Sequence, residues 1–292
     1  MIITPASLSG IYRSFKVLFN KTLAETKTQW KEVAMYQKVT SLENTYAWLG
    51  DFPTMREWIG DRVVKNLTDY DYTIKNKPFE ATISIPESAL VYDQIGLHKP
   101  RIQQLAQSAE QHKDILLFSL LNDGFSELCY DGQNFFDTDH PVAGADVSNT
   151  GGGSGTPWFL LDLSRIIKPM IMQVHTRPKL VSMDNPTDVN MFMRKEMIYG
   201  VDDRKNCGFG LWQLAYGSKD TLNDTNYSAA RAAMMNLKND QGTPLGVMPT
   251  HLVYPPSLES AALTLLNAQF DSAGASNIWY KTVKPLMVPW LV

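Results

Sequence analysis

The sequence predicts an α+β fold organised around one long helix. Three observations carry that prediction. After Pro100, Ile102, Leu105, Ala109, His112, Leu116 and Leu120 recur at steps of three and four, a helical period. Phe79, Ala81, Ile83 and Ile85 alternate with Glu80, Thr82 and Ser84, the period of two of a strand with one covered face. Hydrophobic residues make up 44% and charged residues 20% of 292, which permits a sizeable core and excludes wholesale disorder.

The elements follow in order. Thr4 can cap a first helix with Pro5 at its first position, where the missing N–H costs nothing. Leu8, Ile11, Tyr12, Phe15, Leu18 and Phe19 then form an apolar stripe. Residues 1–38 hold six basic and two acidic side chains. That segment reads either as a buried face with a solvated one opposite, or as an arm lying on a neighbouring subunit or facing a polyanion. Residues 42–78 mix Trp48, Phe52, Trp58, Tyr70 and Tyr72 with polar residues and keep no helical period, as in a long hairpin or extended loop. Pro86 ends the alternating strand. The helix from Pro100 to about Leu121 would span about 33 Å and stop at Asn122-Asp123-Gly124. Residues 143–157, rich in Gly and Ser, read as a flexible linker or surface loop. Short strands are expected at Trp158–Leu163, Met170–Val174, Met193–Tyr199 and Leu211–Tyr216. Tyr227, Ala230, Met234 and Leu237 mark a helix, and His251–Tyr254 a strand broken by Pro255-Pro256. Ser257 can cap a last helix with Leu258, Ala261, Leu265 and Leu266 on one face.

Composition excludes several functions. Lysine and arginine total 27 against 30 acids, so no global positive charge marks a nucleic-acid binder. Cys129 and Cys207 are too few for a disulfide scaffold or a four-cysteine zinc site, and fit a reducing compartment. The N-terminus lacks the pattern of a signal peptide, and no stretch of about 18 apolar residues predicts a membrane helix.

The most site-like stretch is Asp131 to Pro141. Asp137, Asp139 and His140 could serve a metal-dependent hydrolase, but their spacing matches no metal motif, and Asp and Asn beside Gly and Pro are turn formers. A structured, self-hydrogen-bonded turn is expected there. Gly208 and Gly210 lack the rest of a phosphate loop and read as glycines at a strand bend. Both thiols read as buried and structural. The residues therefore predict no catalytic residue, no metal and no cofactor.

Four blocks resemble one known family. They are ISIPESALVYDQIGLHKPRIQQLAQSAEQHKDILLFSLLNDGFSELCYDGQNFFDTDHPV at 83–142 and WFLLDLSRIIKPMIMQVHTRP at 158–178, then FMRKEMIYGVDDRKNCGFGLWQLAYGS at 192–218 and AARAAMMNLKNDQGTPLGVMPTHLVYPPSLESAA at 229–262. In that order they resemble the Mu-like prophage major head subunit family. The resemblance implies a phage major capsid protein of the HK97-like fold and no enzyme. It implies an N-terminal arm (1–44), an extended loop (45–85), a peripheral domain (86–220) with a spine helix at about 100–121, and an axial domain (221–292).

The implied function is self-assembly, as hexamers and pentamers, into an icosahedral shell enclosing packaged double-stranded DNA. A scaffold protein and a portal would act during assembly, and a decoration protein is a further partner. The setting would be the virion, after assembly in the host cytoplasm, with no membrane involved. Some relatives of this fold carry an N-terminal scaffolding region. Here the arm begins almost at Met1, which implies a separate scaffold and protease. Covalent cross-linking, found in one branch of the fold, would need a loop lysine. Lys65, Lys75 and Lys77 are read instead as solvated. An encapsulin-type compartment is the alternative within the fold, and the hydrolase lies outside it.

Candidate intersubunit contacts follow from both readings. Tyr12, Phe15 and Phe19 on the arm stripe are assigned to a neighbour, because so extended a segment offers the stripe no partner of its own. Arg56, Trp58, Arg62, Lys65, Lys75 and Lys77 are the loop candidates, since an isolated hairpin is marginal in water and aromatics and arginine anchor interfaces. Glu110 and Asp114 on a neighbour's spine helix are the expected acidic partners.

Overall fold

The computed structural model describes residues 4–49, 72–92, 94–239, 241–270 and 274–291. Thr4 starts the first helix, α1 (Pro5–Glu25), by a reciprocal cap. Its hydroxyl accepts from the Ser7 N–H at 3.2 Å, and the Ser7 hydroxyl accepts from the Thr4 N–H at 2.9 Å. A single helical turn, α2 (Trp30–Val33), leads into β1 (Ala34–Lys38). β2 (Glu43–Thr45) and β3 (Thr73–Lys75) pair antiparallel and form the root of the expected long hairpin. Then come β4 (Lys77–Pro86), the short α3 (Ser88–Val91) and the spine, α4 (Lys99–Asp123).

The loop after α4 holds β5 (His140–Val142), β6 (Ala145–Val147) and β7 (Thr150–Gly153). β8 (Trp158–Leu161) precedes two long strands, β9 (Met170–Met183) and β10 (Glu196–Phe209), joined at their tip by α5 (Val189–Arg194). The chain closes with β11 (Ala215–Lys219), α6 (Asp224–Met235), β12 (His251–Tyr254), α7 (Glu259–Asn267) and β13 (Lys284–Met287).

Two sheets organise these elements. The first has the order β1-β9-β10-β4, and α1 and α4 cover it. Met197, Tyr199, Val201, Asp203 and Lys205 alternate inward along β10, as the period of two requires. The apolar stripe of α1 joins this core with Ile102, Leu105, Leu180 and Tyr199, and the Phe15 ring meets the Tyr199 ring edge-on at 5.2 Å. The second sheet has the order β13-β12-β8-β11-β7 and packs into a larger core around Trp158, Phe159, Phe209 and Trp212.

Several expectations are corrected. The arm stripe does have a partner in its own chain. Phe15 and Phe19 are buried against the spine and sheet, and the Tyr12 hydroxyl donates to the Leu180 carbonyl at 2.8 Å. In this conformation Tyr12, Phe15 and Phe19 are not offered to a neighbour. The glycine-rich 143–157 is no linker, since β7 runs parallel to β11 as a sheet edge. Gly153 has φ +85°, and a Cβ there would lie 2.4 Å from the Asp220 nitrogen, so only glycine allows this approach.

Trp212–Leu214 is a 3-10 turn rather than a strand. Met193 sits in α5, before β10 begins. Ser257 lies inside a 3-10 turn, Pro256–Leu258, and does not cap α7. The second sheet also crosses the expected boundary at 220, because β12 pairs with β8 through Leu252 and Leu160.

Burial of the stripe makes α1 part of the folded body. Phe19→Ala empties a fully buried site and is expected to lower subunit stability by about 3–4 kcal/mol in denaturant unfolding. A loss below about 1 kcal/mol would mean that α1 does not belong to this core.

Candidate functional site

The 131–141 turn is built as a buried clip. The Cys129 N–H donates to the Gln133 carbonyl at 2.8 Å, and the Asp131 Oδ1 accepts from the Cys129 thiol at 3.0 Å and the Gln133 N–H at 3.1 Å. The Asp131 Oδ2 lies 2.7 Å from His140 Nδ1, and His140 Nε2 lies 3.2 Å from Asn149 Oδ1. The imidazole is fully buried and stacks on Trp212, with centroids 4.0 Å apart. The Asn149 amide donates to the Phe135 carbonyl at 2.8 Å while its oxygen accepts from the Asp137 N–H at 2.9 Å. One asparagine thus ties the turn to the second core.

The hydrolase trio is not assembled. His140 is committed to Asp131 and Asn149. Asp137 accepts from the Thr138 N–H at 2.8 Å and the Asn134 N–H at 3.2 Å, and Asp139 is exposed. The group that does converge is Cys129, Asp131 and His140, whose ligand atoms lie within 4.8 Å of one another. The sequence signal for it was Cys129, two residues before Asp131.

The donor atoms of this group already meet one another at hydrogen-bond distances. Burial and the Asp131 charge push the Cys129 thiol far above its ordinary pKa, whereas a metal would need the thiolate. Burial raises the Asp131 carboxyl, but the bonds from His140 and Cys129 outweigh it and hold the group below the usual range. The chemistry present is a proton-bridged clip. Cys207 donates to the Leu116 carbonyl at 3.2 Å, and burial pushes its thiol up to about 12, so neither cysteine has the character of a nucleophile.

A second polar network fixes the hairpin root. The Tyr46 hydroxyl donates to Gln173 Oε1 at 2.7 Å, and the Gln173 amide donates to Asn76 Oδ1 at 3.0 Å and the Ile74 carbonyl at 3.1 Å. A Cβ on Gly208 would lie 2.3 Å from Ile74 Cδ1, so this glycine lets the root lie flat on β10. Lys75 and Lys77 stand exposed beside the root. Arg56, Trp58, Arg62 and Lys65 lie outside the described residues.

The acidic partners expected on the spine are already engaged within the chain. Asp114 is buried and accepts from the N–H groups of Trp30 at 2.8 Å and Gln29 at 3.0 Å. Glu110 is buried and pairs with Lys113 at 2.6 Å. Neither carboxylate is free for a neighbour, because each compensates donors buried with it.

Sequence reasoning missed an apolar surface at the tip of the β9–β10 hairpin. Val189, Phe192 and Met193 of α5 are 75%, 83% and 70% exposed. Tyr92 and Leu97 are likewise exposed and follow the end of β4, where the Glu87 N–H donates to the Lys195 carbonyl beside α5. Three large apolar side chains exposed on one short helix mark a contact surface. The run Met-Phe-Met at 191–193 was the available signal.

A spine helix on a twisted sheet, an arm helix folded along it, a hairpin root at its flank and a second sheet closed by the C-terminus together define the HK97-like fold of phage major capsid proteins. The subunit of the bacteriophage JBD30 procapsid superposes with a TM-score of 0.90 at 41% identity, covering 99% of this chain and 100% of that one. The JBD30 capsid gives 0.80 at 32% identity with both chains fully covered. The major capsid protein of Escherichia phage Mu is 38% identical over 95% of each chain, and the Mu-like prophage FluMu major head subunit of Haemophilus influenzae is 38% identical over 91% of each. The family model of the Mu-like prophage major head subunit gpT matches residues 8–291. The chain belongs to that family, and its role is to form a shell.

The clip makes a direct prediction about the subunit. Asn149→Ala strands the Phe135 carbonyl and the Asp137 N–H and should cost about 2 kcal/mol in denaturant unfolding. A cost below about 0.5 kcal/mol would show that the clip does not hold the turn.

Proposed function

We propose that copies of this chain close into an icosahedral shell of hexamers and pentamers around packaged double-stranded DNA. The observation that carries this reading is the near-complete match to the JBD30 procapsid subunit. Assembly works through accumulated contact rather than chemistry. Many modest interfaces, each needing little affinity, sum to a stable closed particle once every subunit is held several times. The exposed tip around Phe192 supports a contact of this kind. The loop candidates Arg56, Trp58, Arg62, Lys65, Lys75 and Lys77 reach onto a neighbour in the same reading.

In domain terms, the arm is 1–44 and the loop 45–85. The peripheral domain is 86–220 with the spine, and the axial domain is 221–292, the two sharing the second sheet. A scaffold and a portal act during assembly in the host cytoplasm, and the finished protein resides in the virion. One of the similar JBD30 structures is a capsid decorated with minor capsid protein trimers, matched here with a TM-score of 0.79 at 32% identity. A decoration protein is proposed for this chain on that likeness. The buried clip supports a structural rather than an enzymatic role for the 131–141 turn.

Electron microscopy of the expressed protein, alone and with a co-expressed scaffold, tests the reading. Closed icosahedral particles are expected. Persistent monomers under both conditions would contradict it.

A further inference from the structure

The charges of this chain are unevenly laid out. No lysine or arginine stands between Lys113 and Arg165, whereas residues 1–38 hold six basic and two acidic side chains. The fold turns that imbalance into two surfaces on different elements.

The acidic surface is the β5–β6 hairpin and the turn that leads into it. Ala143 and Gly144 have φ +53° and +81°, as a two-residue turn between antiparallel strands requires, so the hairpin has a fixed shape. Pro141, Ala143, Ala145 and Asp146 are exposed on it, with the exposed Asp139 just before. The hydrogen bond that Asp139 shares with Asp137 raises the Asp139 pKa, and the Asp137 and Asp146 charges add to the rise. No lysine or arginine pairs with any of these three carboxylates among the described residues. Crowded carboxylates repel one another, and a cation brought from outside relieves them.

The basic surface is a groove of about 850 Å³ between α1 and β1, the edge strand of the first sheet. Among the described residues, Lys31, Lys113, Lys168 and Arg177 line it against Glu110, four positive charges to one negative. Lys113 and Lys31 share Glu110, at 2.6 and 4.0 Å, and the Lys168 ammonium is held by the Lys31 and Glu32 carbonyls. The Glu32 carboxylate beside them is paired with Lys284 at 2.8 Å. Arg177 is exposed and has no ion pair among the described residues. The lining between the cations is largely apolar, and Ile166 there is 91% exposed.

We propose that the acidic β5–β6 hairpin of one copy docks in the basic groove of a second copy of this chain. Its carboxylates meet Arg177, Lys31 and Lys168, and its small apolar tip covers Ile166. The two surfaces belong to different elements, so each copy offers both at once. A contact between unlike patches repeats head to tail and closes into a ring when its rotation allows. A hairpin shaped before it binds loses little freedom on binding. This inference rests on the shell-forming reading.

The test uses the full chain in its assembled particle. Asp146→Arg and Arg177→Asp each reverse one exposed charge, and a third subunit carries both changes. With subunit unfolding unchanged, each single reversal should raise the concentration needed for assembly about tenfold or more, because like charges then face each other. The double reversal should bring assembly back to within about threefold of wild type. A cryo-EM map of wild-type shells should show Asp139 or Asp146 of one copy within ion-pair distance of Arg177, Lys31 or Lys168 of the next. Wild-type assembly by either single variant overturns the inference, as does a folded double variant that assembles no better than the single ones. A groove occupied in the map by another segment, by nucleic acid or by water alone overturns it too. Failure of the wild-type protein to form any shell would instead overturn the reading beneath it.

Discussion

One buried carboxylate fastens the turn after the arm helix to the spine, and through that turn the spine is linked to the second sheet. Asp114, halfway along the spine, accepts from the N–H groups of Gln29 and Trp30, the donors that open α2. Those groups have no partner within so short a helix, so a carboxylate there acts as a cap supplied from another element. Burial pushes the Asp114 pKa up despite the two backbone donors. The same turn is tied to the rest of the body. The Gln29 amide donates to the Met287 carbonyl at 2.7 Å, the Lys168 ammonium donates to the Lys31 carbonyl at 3.1 Å, and Lys284 pairs with Glu32 at 2.8 Å. Residues 29–32 thereby join spine, arm and the last strand of the second sheet.

A body locked in this way is suited to shell formation. Many of its internal polar groups are spent on internal partners, as in the His140 clip and the Gln173 network. The surface carries the apolar tip at Phe192 and the exposed lysines of the hairpin root, both proposed above as contacts. The two thiols lie in environments that keep them protonated.

Local pattern made part of this legible. The Thr4 cap, the spine from its apolar steps, and the strand 79–85 all depend on residues close in sequence, and all three form as expected. What stayed hidden depends on distant partners. The stripe of α1 meets Leu180 and Tyr199, far along the chain, so nothing near it announced that it was covered. β8 pairs with β12 across about ninety residues, which made a boundary at 220 look natural. The glycine run at 151–153 has the composition of a linker, but what decides its role is the closeness of Lys219 and Asp220, which composition does not encode. The 131–141 turn was legible as a turn, but its pairing was not. Gly132, at φ +85°, helps reverse the chain and bring Asp131 to His140, so the relevant carboxylate was nine residues away rather than adjacent.

The central claim is that Asp114 holds arm and spine as one body. Asp114→Ala, followed by denaturant unfolding and amide hydrogen exchange of the dissociated subunit, tests it most directly. The account predicts a loss of about 2 kcal/mol, with the amides of Gln29 and Trp30 losing protection while the spine keeps its own. Unchanged stability, with those two amides still protected, would contradict it.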